Sequence, residues 1–162
     1  SLVMNGGVLN GKRYILKVID SNTPSIKKEN AKSLVMYVRK SSSIENKEKL
    51  MNSFCKEQLS LKINKYLPEL ESIIKVKSNG YSIRKMKNKW GSCNREMKTL
   101  IFNVDLAQKK DAEIKYVIIH ELLHFIEKKH NEHFRELMEF YCPKWEQYHS
   151  SLNKILNDNK MC

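Results

Sequence analysis

The spacing of apolar and polar residues changes along the chain, from a pattern typical of strands to one typical of helices. Early apolar positions alternate loosely with polar ones and are rich in β-branched residues, which predicts strands. From Ile44 to Leu67 the apolar residues recur every three or four positions, which predicts an amphipathic helix ended by Pro68. The predicted strands are residues 8–20, 33–40, 73–77, 81–87 and 99–104. The predicted breaks are a turn-rich segment around Pro24, a tight hairpin turn at Asn79-Gly80 and a second turn over 88–98.

The last third of the chain has helical spacing. The predicted helices are residues 111–128, 132–141 and 144–157, with Asp111 and Asn131 as candidate N-caps and Pro143 before the third. Strands followed by helices predict an α+β fold with a small, mostly antiparallel sheet. A length of 162 residues suits a single domain, 1–162, in which residues 1–43 form a β-rich first part.

One apolar helical run contains a cluster of polar residues. Between Val117 and Ile126 the only polar residues are His120, Glu121 and His124, in the order H-E-x-x-H. Four residues at ~100° each leave the two histidines about 40° apart around the helix and one turn along it, so both can bind one metal ion. The glutamate between them can reach a water molecule at that ion. The alternative is a pair of core histidines beside an unrelated glutamate, but burying three polar groups together favours a common partner.

A catalytic zinc site needs a third protein ligand and an open fourth position. His130 is the first candidate, in a loop before Asn131, and His133 is its main rival. Acidic residues of the following helices are further candidates: Glu136, Glu139 and Glu146. The predicted chemistry is hydrolysis with one Zn²⁺ ion and Glu121 as the general base. The candidates for a second stabiliser of the oxyanion are Tyr141, His133 and Tyr116.

The charge distribution suggests a second function. Residues 1–110 carry 23 Lys and Arg residues against 9 Asp and Glu, whereas residues 111–162 carry 7 against 9. A basic surface attracts nucleic acid. However, the chain has 25 lysines and 5 arginines, and arginine is the residue preferred for bidentate phosphate contacts. In the KWGSC turn, Lys89 and Trp90 could line the cleft or contact nucleic acid, while the competing interpretation makes Trp90 a core anchor.

Other features predict a cytoplasmic protein with no membrane segment; a monomer is the default expectation, because no feature of the sequence indicates an oligomer. No apolar run approaches the ~20 residues of a membrane span, and the first residues do not have the pattern of a signal peptide. The four cysteines are scattered without a CxxC pair, which favours reduced thiols over a cysteine zinc site.

The segment KWGSCNREMKTLIFNVDLAQKKDAEIKYVIIHELLHFIEKKHNEHF, residues 89–134, resembles the YgjP-like (DUF45) metal-dependent hydrolases, which are related to the SprT-like zinc metallopeptidases. The resemblance extends to the C-terminus and, more loosely, to the N-terminal strand. It implies a zincin-like core over residues 44–162, a zinc ion at His120, His124 and His130, and Glu121 as catalytic base. It also implies a peptide or protein substrate and, by analogy with the SprT relatives, a protease that DNA stimulates. Arg135 stands where the family has tryptophan. LIFNV, residues 100–104, would pair with an extended peptide if it formed a sheet edge.

Overall fold

The computed structural model describes residues 2–153, and their side chains from residue 6 onward. Its strands are β1 (Leu2–Leu9), β2 (Lys12–Asp20), β3 (Ser25–Asn30), β4 (Ser33–Val38), β5 (Tyr81–Arg84), β6 (Gly91–Asn94) and β7 (Thr99–Asn103). Its α-helices are α1 (Ile44–Ile74), α2 (Asp111–Leu123), α3 (Glu132–Tyr141) and α4 (Trp145–Asn153), and a 3₁₀ helix covers Val104–Gln108. The predicted α+β class is confirmed. No helix in residues 2–153 combines the length and the apolar character needed to cross a membrane.

The first sheet has the strand order β1-β2-β4-β3, with β2 and β4 parallel and the outer pairs antiparallel. The single strand predicted over 8–20 is wrong, because Asn10 and Gly11 both have positive φ and form a hairpin turn there. The predicted break around Pro24 is present at residues 21–24, but the rest of that segment, Ser25–Asn30, forms β3. The inner face of this sheet packs Leu34 and Met36 against Phe54 of α1.

The β1–β2 hairpin is fastened to the second half of the chain. At its turn, the backbone N–H groups of Asn10 and Gly11 donate to the carbonyls of Ala107 and Gln108, both at 2.7 Å. The Asn10 side chain donates to Asp111 Oδ1 at 2.7 Å. The hairpin therefore contacts the chain just before and at the start of α2.

Helix α1 is longer than predicted. The Ser43 hydroxyl caps it by accepting from the Asn46 N–H at 3.1 Å, and the helix continues through Pro68 to Ile74. Proline removes one helical hydrogen bond, but the buried face of the helix continues past it. The strand predicted over 73–77 is consequently wrong. Lys75 ends the helix with a φ of 63°, and its backbone N–H donates to the Glu71 carbonyl.

The second sheet has the order β5-β7-β6, with β5 parallel and β6 antiparallel to β7. Asn79-Gly80 does not form the predicted hairpin turn, because β5 pairs with the distant β7. The segment over 88–98, predicted as a turn, contains β6. Residues 100–103 of LIFNV belong to the central strand β7, and Val104 begins the 3₁₀ helix. The expectation that this segment offers a peptide-binding edge is therefore wrong. Among residues 2–153, the edge strand beside α2 is β6.

Helix α2 is buried along nearly its whole length, in the core between α1, the second sheet and the last helices. It begins at Asp111, with Lys110 as its N-cap, and ends at Leu123 rather than near Lys128. Asn131 caps α3 as predicted, since its side-chain oxygen accepts from the Phe134 N–H at 3.0 Å. Of the third predicted helix, residues 154–157 lie outside the described residues.

Candidate metal centre

Three imidazole rings meet at the end of α2. His120 lies in the last turn of this helix, His124 is its C-cap residue, and His130 comes from the loop before α3. The Nε2 atom of His130 lies 3.0 Å from that of His124 and 3.2 Å from that of His120. The three ligand atoms lie within 4.8 Å of one another. This is the convergence that the sequence predicted for its first-choice ligand set.

Hydrogen bonds on the far sides of the rings fix which nitrogen faces the centre. His120 Nδ1 lies 3.0 Å from Glu121 Oε2, and His124 Nδ1 lies 3.0 Å from the Glu127 carbonyl oxygen. Both partners are acceptors, so the proton of each neutral ring belongs on Nδ1 and the lone pair on Nε2. The Nε2 lone pairs of His120 and His124 therefore both face Nε2 of His130. A cation bound between the three nitrogens would relieve the repulsion between these lone pairs. Three imidazole nitrogens also match the ligands of catalytic zinc sites, so the residues fit a zinc ion.

Packing holds the rings in place. His120 and His124 are each 5% exposed, while His130 is exposed. The Phe134 ring stacks on His124 with a centroid separation of 4.6 Å and meets His120 edge-on at 5.2 Å. Arg95 Nε donates to the His124 carbonyl at 2.7 Å, which ties the β6–β7 turn to the end of α2.

Glu121 is a fully buried carboxylate beside these rings, with 0% of its side chain exposed. Among the described residues its Oε1 has no hydrogen-bond partner, although Oε2 is engaged by His120. Gly91 makes room for it, because a Cβ at that position would lie 3.0 Å from Glu121 Cγ and 3.1 Å from Val117 Cγ1. A carboxylate with one bound oxygen and one unbound oxygen is suited to accept a proton from water.

Two cavities border the histidines on different sides. The larger, of about 750 Å³, is lined by Glu121 and His124 together with side chains of β6 and the following turn. The smaller, of about 240 Å³, is lined by His120 and by residues of α3 and α4. His130 borders both cavities. The three-histidine centre therefore lies at the boundary between a cleft and a pocket.

The rival third ligands lie elsewhere. His133 Nδ1 is 3.4 Å from Glu127 Oε2 on the surface. The pKa of Glu127 is lowered, first by the hydrogen bond from Asn131 and then by that from His133. Glu139 accepts a hydrogen bond from Trp145 Nε1 at 2.8 Å. Within residues 2–153, the side chains whose ligand atoms lie close enough together to share a metal ion are those of His120, His124 and His130. The rival candidates are not among them: His133, Glu136, Glu139 and Glu146.

The two candidate tyrosines differ in position. Tyr116 is buried and lines the smaller pocket, where its hydroxyl lies 3.3 Å from His149 Nδ1. Burial is the largest of the causes that raise its pKa above the ordinary value, so it stays protonated at neutral pH. Tyr141 is half-buried, packs edge-on against Phe140 with centroids 4.9 Å apart, and lines neither cavity.

Lys89 and Trp90 lie close together in sequence but in different environments. Lys89 is exposed and lines the larger cleft. Trp90 is 1% exposed and belongs to the core, with Lys109 Nζ 5.2 Å from its ring centroid. In this conformation Trp90 offers no open face for stacking a nucleic-acid base.

Sequence reasoning did not identify three residues that shape the site. Asn103 is fully buried, and its side chain bonds the backbone of Met86, Lys89 and Asp105. Arg95 and His149 acquire their positions through contacts distant in sequence. For Asn103, the only sequence signal of a structural role was its position near the end of a predicted strand, which is a weak indication. Arg95 and His149 carried no such signal.

Comparison with known proteins is consistent with this geometry. The chain is similar to the crystal structure of the metallopeptidase zymogen abylysin of Pyrococcus abyssi, with 19% identity and a TM-score of 0.54, covering 62% of this chain and 99% of that one. It is also similar to the metallopeptidase zymogen jannalysin of Methanocaldococcus jannaschii, with 24% identity and a TM-score of 0.52, covering 58% and 96%. These similarities confirm the zincin-like fold. The comparison with curated proteins gave no match.

The family comparison covers most of the sequence. The model of the YgjP-like metallopeptidase domain matches residues 4–155, which include all but the first two residues of the two sheets and all three converging histidines. This chain therefore belongs to the YgjP-like metallopeptidase domain family.

Proposed function

We propose that this protein is a zinc-dependent peptidase in which His120, His124 and His130 hold one zinc ion and Glu121 is the general base. The observation that carries the proposal is the convergence of three Nε2 atoms next to a buried carboxylate with an unbound oxygen. Family membership supports a metal-dependent peptidase. The three-nitrogen donor set favours zinc over magnesium and calcium, which prefer oxygen ligands.

The chain itself supplies proton transfer and orientation. Zinc, when bound, supplies a Lewis acid that makes water more acidic and polarises the amide carbonyl. Glu121 Oε1 takes a proton from the attacking water and passes it to the leaving amine nitrogen. The bond between Oε2 and His120 Nδ1 restrains rotation of the carboxylate, so that Oε1 is the oxygen left to accept the proton.

The edge strand β6 supports a peptide as the substrate. Ser92, Cys93 and Asn94 of this strand line the larger cleft. On the side away from β7, β6 pairs with no other strand within residues 2–153. An extended peptide can add to such an edge through backbone hydrogen bonds, which brings an amide bond to the carboxylate of Glu121.

The test is the Glu121→Gln variant, compared with Glu57→Gln at an exposed position of α1. Glutamine keeps the shape of the side chain but cannot accept the proton. We expect both variants to bind one equivalent of zinc, and Glu121→Gln alone to lose about 10²- to 10⁴-fold in peptide hydrolysis. Zinc content by mass spectrometry and cleavage of a mixed peptide library provide the readouts. A wild-type protein that binds no stoichiometric zinc would contradict the proposal.

Nucleic-acid contact is a second proposal, because three basic residues, Lys89, Arg95 and Lys128, line the larger cleft. Such binding would be mainly electrostatic, and its affinity would fall steeply as salt is raised. Fluorescence anisotropy with a labelled single-stranded DNA at 50 and 200 mM salt tests it. Absence of binding at the lower salt concentration would rule it out.

A further inference from the structure

The smaller pocket opens directly beside the proposed zinc ligands. Its wall includes His120 and His130, whereas Glu121 and His124 line the larger cleft. A substrate held at the three histidines, with its backbone in the cleft, therefore has the pocket next to the bond that is cleaved. The pocket is thus placed to receive one substrate side chain.

One part of the pocket wall, formed by Phe134, Met138 and Trp145, is apolar and firmly held. Phe134 and Met138 are 6% and 2% exposed, and both belong to the hydrophobic core. Trp145 is anchored by the hydrogen bond from its Nε1 to Glu139. The volume of about 240 Å³ corresponds to about eight water molecules. A side chain as large as that of phenylalanine or leucine fills much of this space, whereas glycine leaves it empty.

Three of the polar groups of the wall, those of Tyr116, His149 and Asn131, already have partners. Tyr116 and His149 face each other at 3.3 Å. Asn131 bonds both Glu127 and the Phe134 backbone. A polar substrate side chain would therefore give up its hydration with few bonds to replace it.

The charge at the pocket excludes cations. Arg135 lines the pocket and is its one permanently charged lining residue among those described. No carboxylate of the described residues forms an ion pair with it. A lysine or arginine side chain entering the pocket would approach this guanidinium, and the repulsion between the two like charges disfavours binding, by an amount that falls as salt is raised.

We infer that this pocket selects peptides with a bulky apolar residue, in preference to glycine or a basic residue, next to the scissile bond. The inference rests on the proposed function, because it assigns a specificity pocket to the same metal centre. Full burial of such a side chain gives about a 10- to 100-fold preference over glycine.

The test measures binding rather than catalysis. Acetylated hydroxamates of phenylalanine, glycine and lysine carry the same metal-chelating group and differ only in the side chain. Titration calorimetry with the zinc-loaded protein gives their affinities. We expect the phenylalanine compound to bind at least about tenfold more tightly than the other two.

Two pairs of variants locate the effect. Met138→Phe fills the pocket and should remove the preference for phenylalanine, while Met138→Leu should keep it. Because Met138 is buried, the exposed Arg135 provides a second pair that does not depend on repacking. Arg135→Glu should strengthen binding of the lysine compound relative to the phenylalanine compound, and Arg135→Gln should do so less.

The outcomes separate the two proposals. Equal affinities of the three hydroxamates, all dependent on zinc, would overturn the pocket assignment and leave the metal centre standing. Failure of the protein to bind zinc would overturn both. A preference for phenylalanine that Met138→Phe and Arg135→Glu leave unchanged would also overturn the assignment, because the side chain would then bind elsewhere.

Discussion

Replacing Asn103 with alanine removes a buried amide that holds the loop before β6. Its Nδ2 donates to the carbonyls of Met86 and Lys89 at 3.1 and 2.8 Å, and its Oδ1 accepts from the Asp105 N–H at 3.0 Å. The side chain is 0% exposed, so water does not replace these bonds. Each of the three hydrogen bonds contributes about 1 kcal/mol, so the variant should lose about 3 kcal/mol of unfolding free energy. For a chain of this size, that lowers the melting temperature by about 6–12 °C.

Thermal unfolding of the zinc-free protein is the assay, because bound metal would add its own stabilisation. The matched control is Asn94→Ala. Asn94 is exposed, and among the described residues its side chain makes one hydrogen bond, accepting from the Met97 N–H at 3.0 Å. The control variant should lose about 1 kcal/mol or less of unfolding free energy. If both variants melt at the same temperature, the loop is not held by Asn103 in the way described.

Three further predictions concern the hairpin, a tyrosine and a glycine. Asn10→Gly keeps the positive φ but removes the two hydrogen bonds that the side chain donates, to Asp111 Oδ1 and to the Lys109 carbonyl, so it should lower the unfolding free energy by about 1–2 kcal/mol in urea titrations. The pKa of Tyr66 is raised to about 12, first by its hydrogen bond to Asp111 and then by burial. Its folded pKa exceeds the unfolded value of ~10, so its stabilisation is complete below pH 10 and is lost as the pH rises toward 12. The wild type should therefore lose more stability than Tyr66→Phe over that interval. Gly91→Ala places a methyl group against Glu121, so it should cost about 1–3 kcal/mol and reduce hydrolysis while zinc binding persists.

The pair of histidines on α2 could be predicted because it depends only on helix geometry. His120 and His124 lie one turn apart on any helix, and the apolar residues around them indicate burial. The third ligand depends on the path of the loop to His130. The path of this loop depends on the residue at which α2 ends. The sequence predicted that end near Lys128, whereas the helix ends at Leu123.

The early end of α2 has a tertiary cause. A longer helix would use the His124 carbonyl to accept from the N–H of Lys128. Instead, Arg95 Nε from the β6–β7 turn binds that carbonyl, and His124 Nδ1 bonds the Glu127 carbonyl. The contact from Arg95 joins residues 29 positions apart, and no local pattern reveals it.

The errors in the strands have a similar origin. GSCN in β6 has no alternating pattern, and only its pairing with β7 makes it a strand. The helix predicted to end at Pro68 continues because Leu70 and Ile74 remain on its buried face. The Asn10-Gly11 turn, by contrast, carried a recognisable hairpin signal that the loose strand pattern obscured.

The central claim is that three histidines hold one zinc ion with a coordination position left for water. X-ray absorption at the zinc edge of the protein loaded with one equivalent tests it most directly. The account predicts three nitrogen ligands at about 2.0–2.1 Å, at least one further oxygen ligand, and loss of one nitrogen in His130→Ala. Four protein ligands, a sulfur ligand, or an unchanged spectrum in His130→Ala would contradict it.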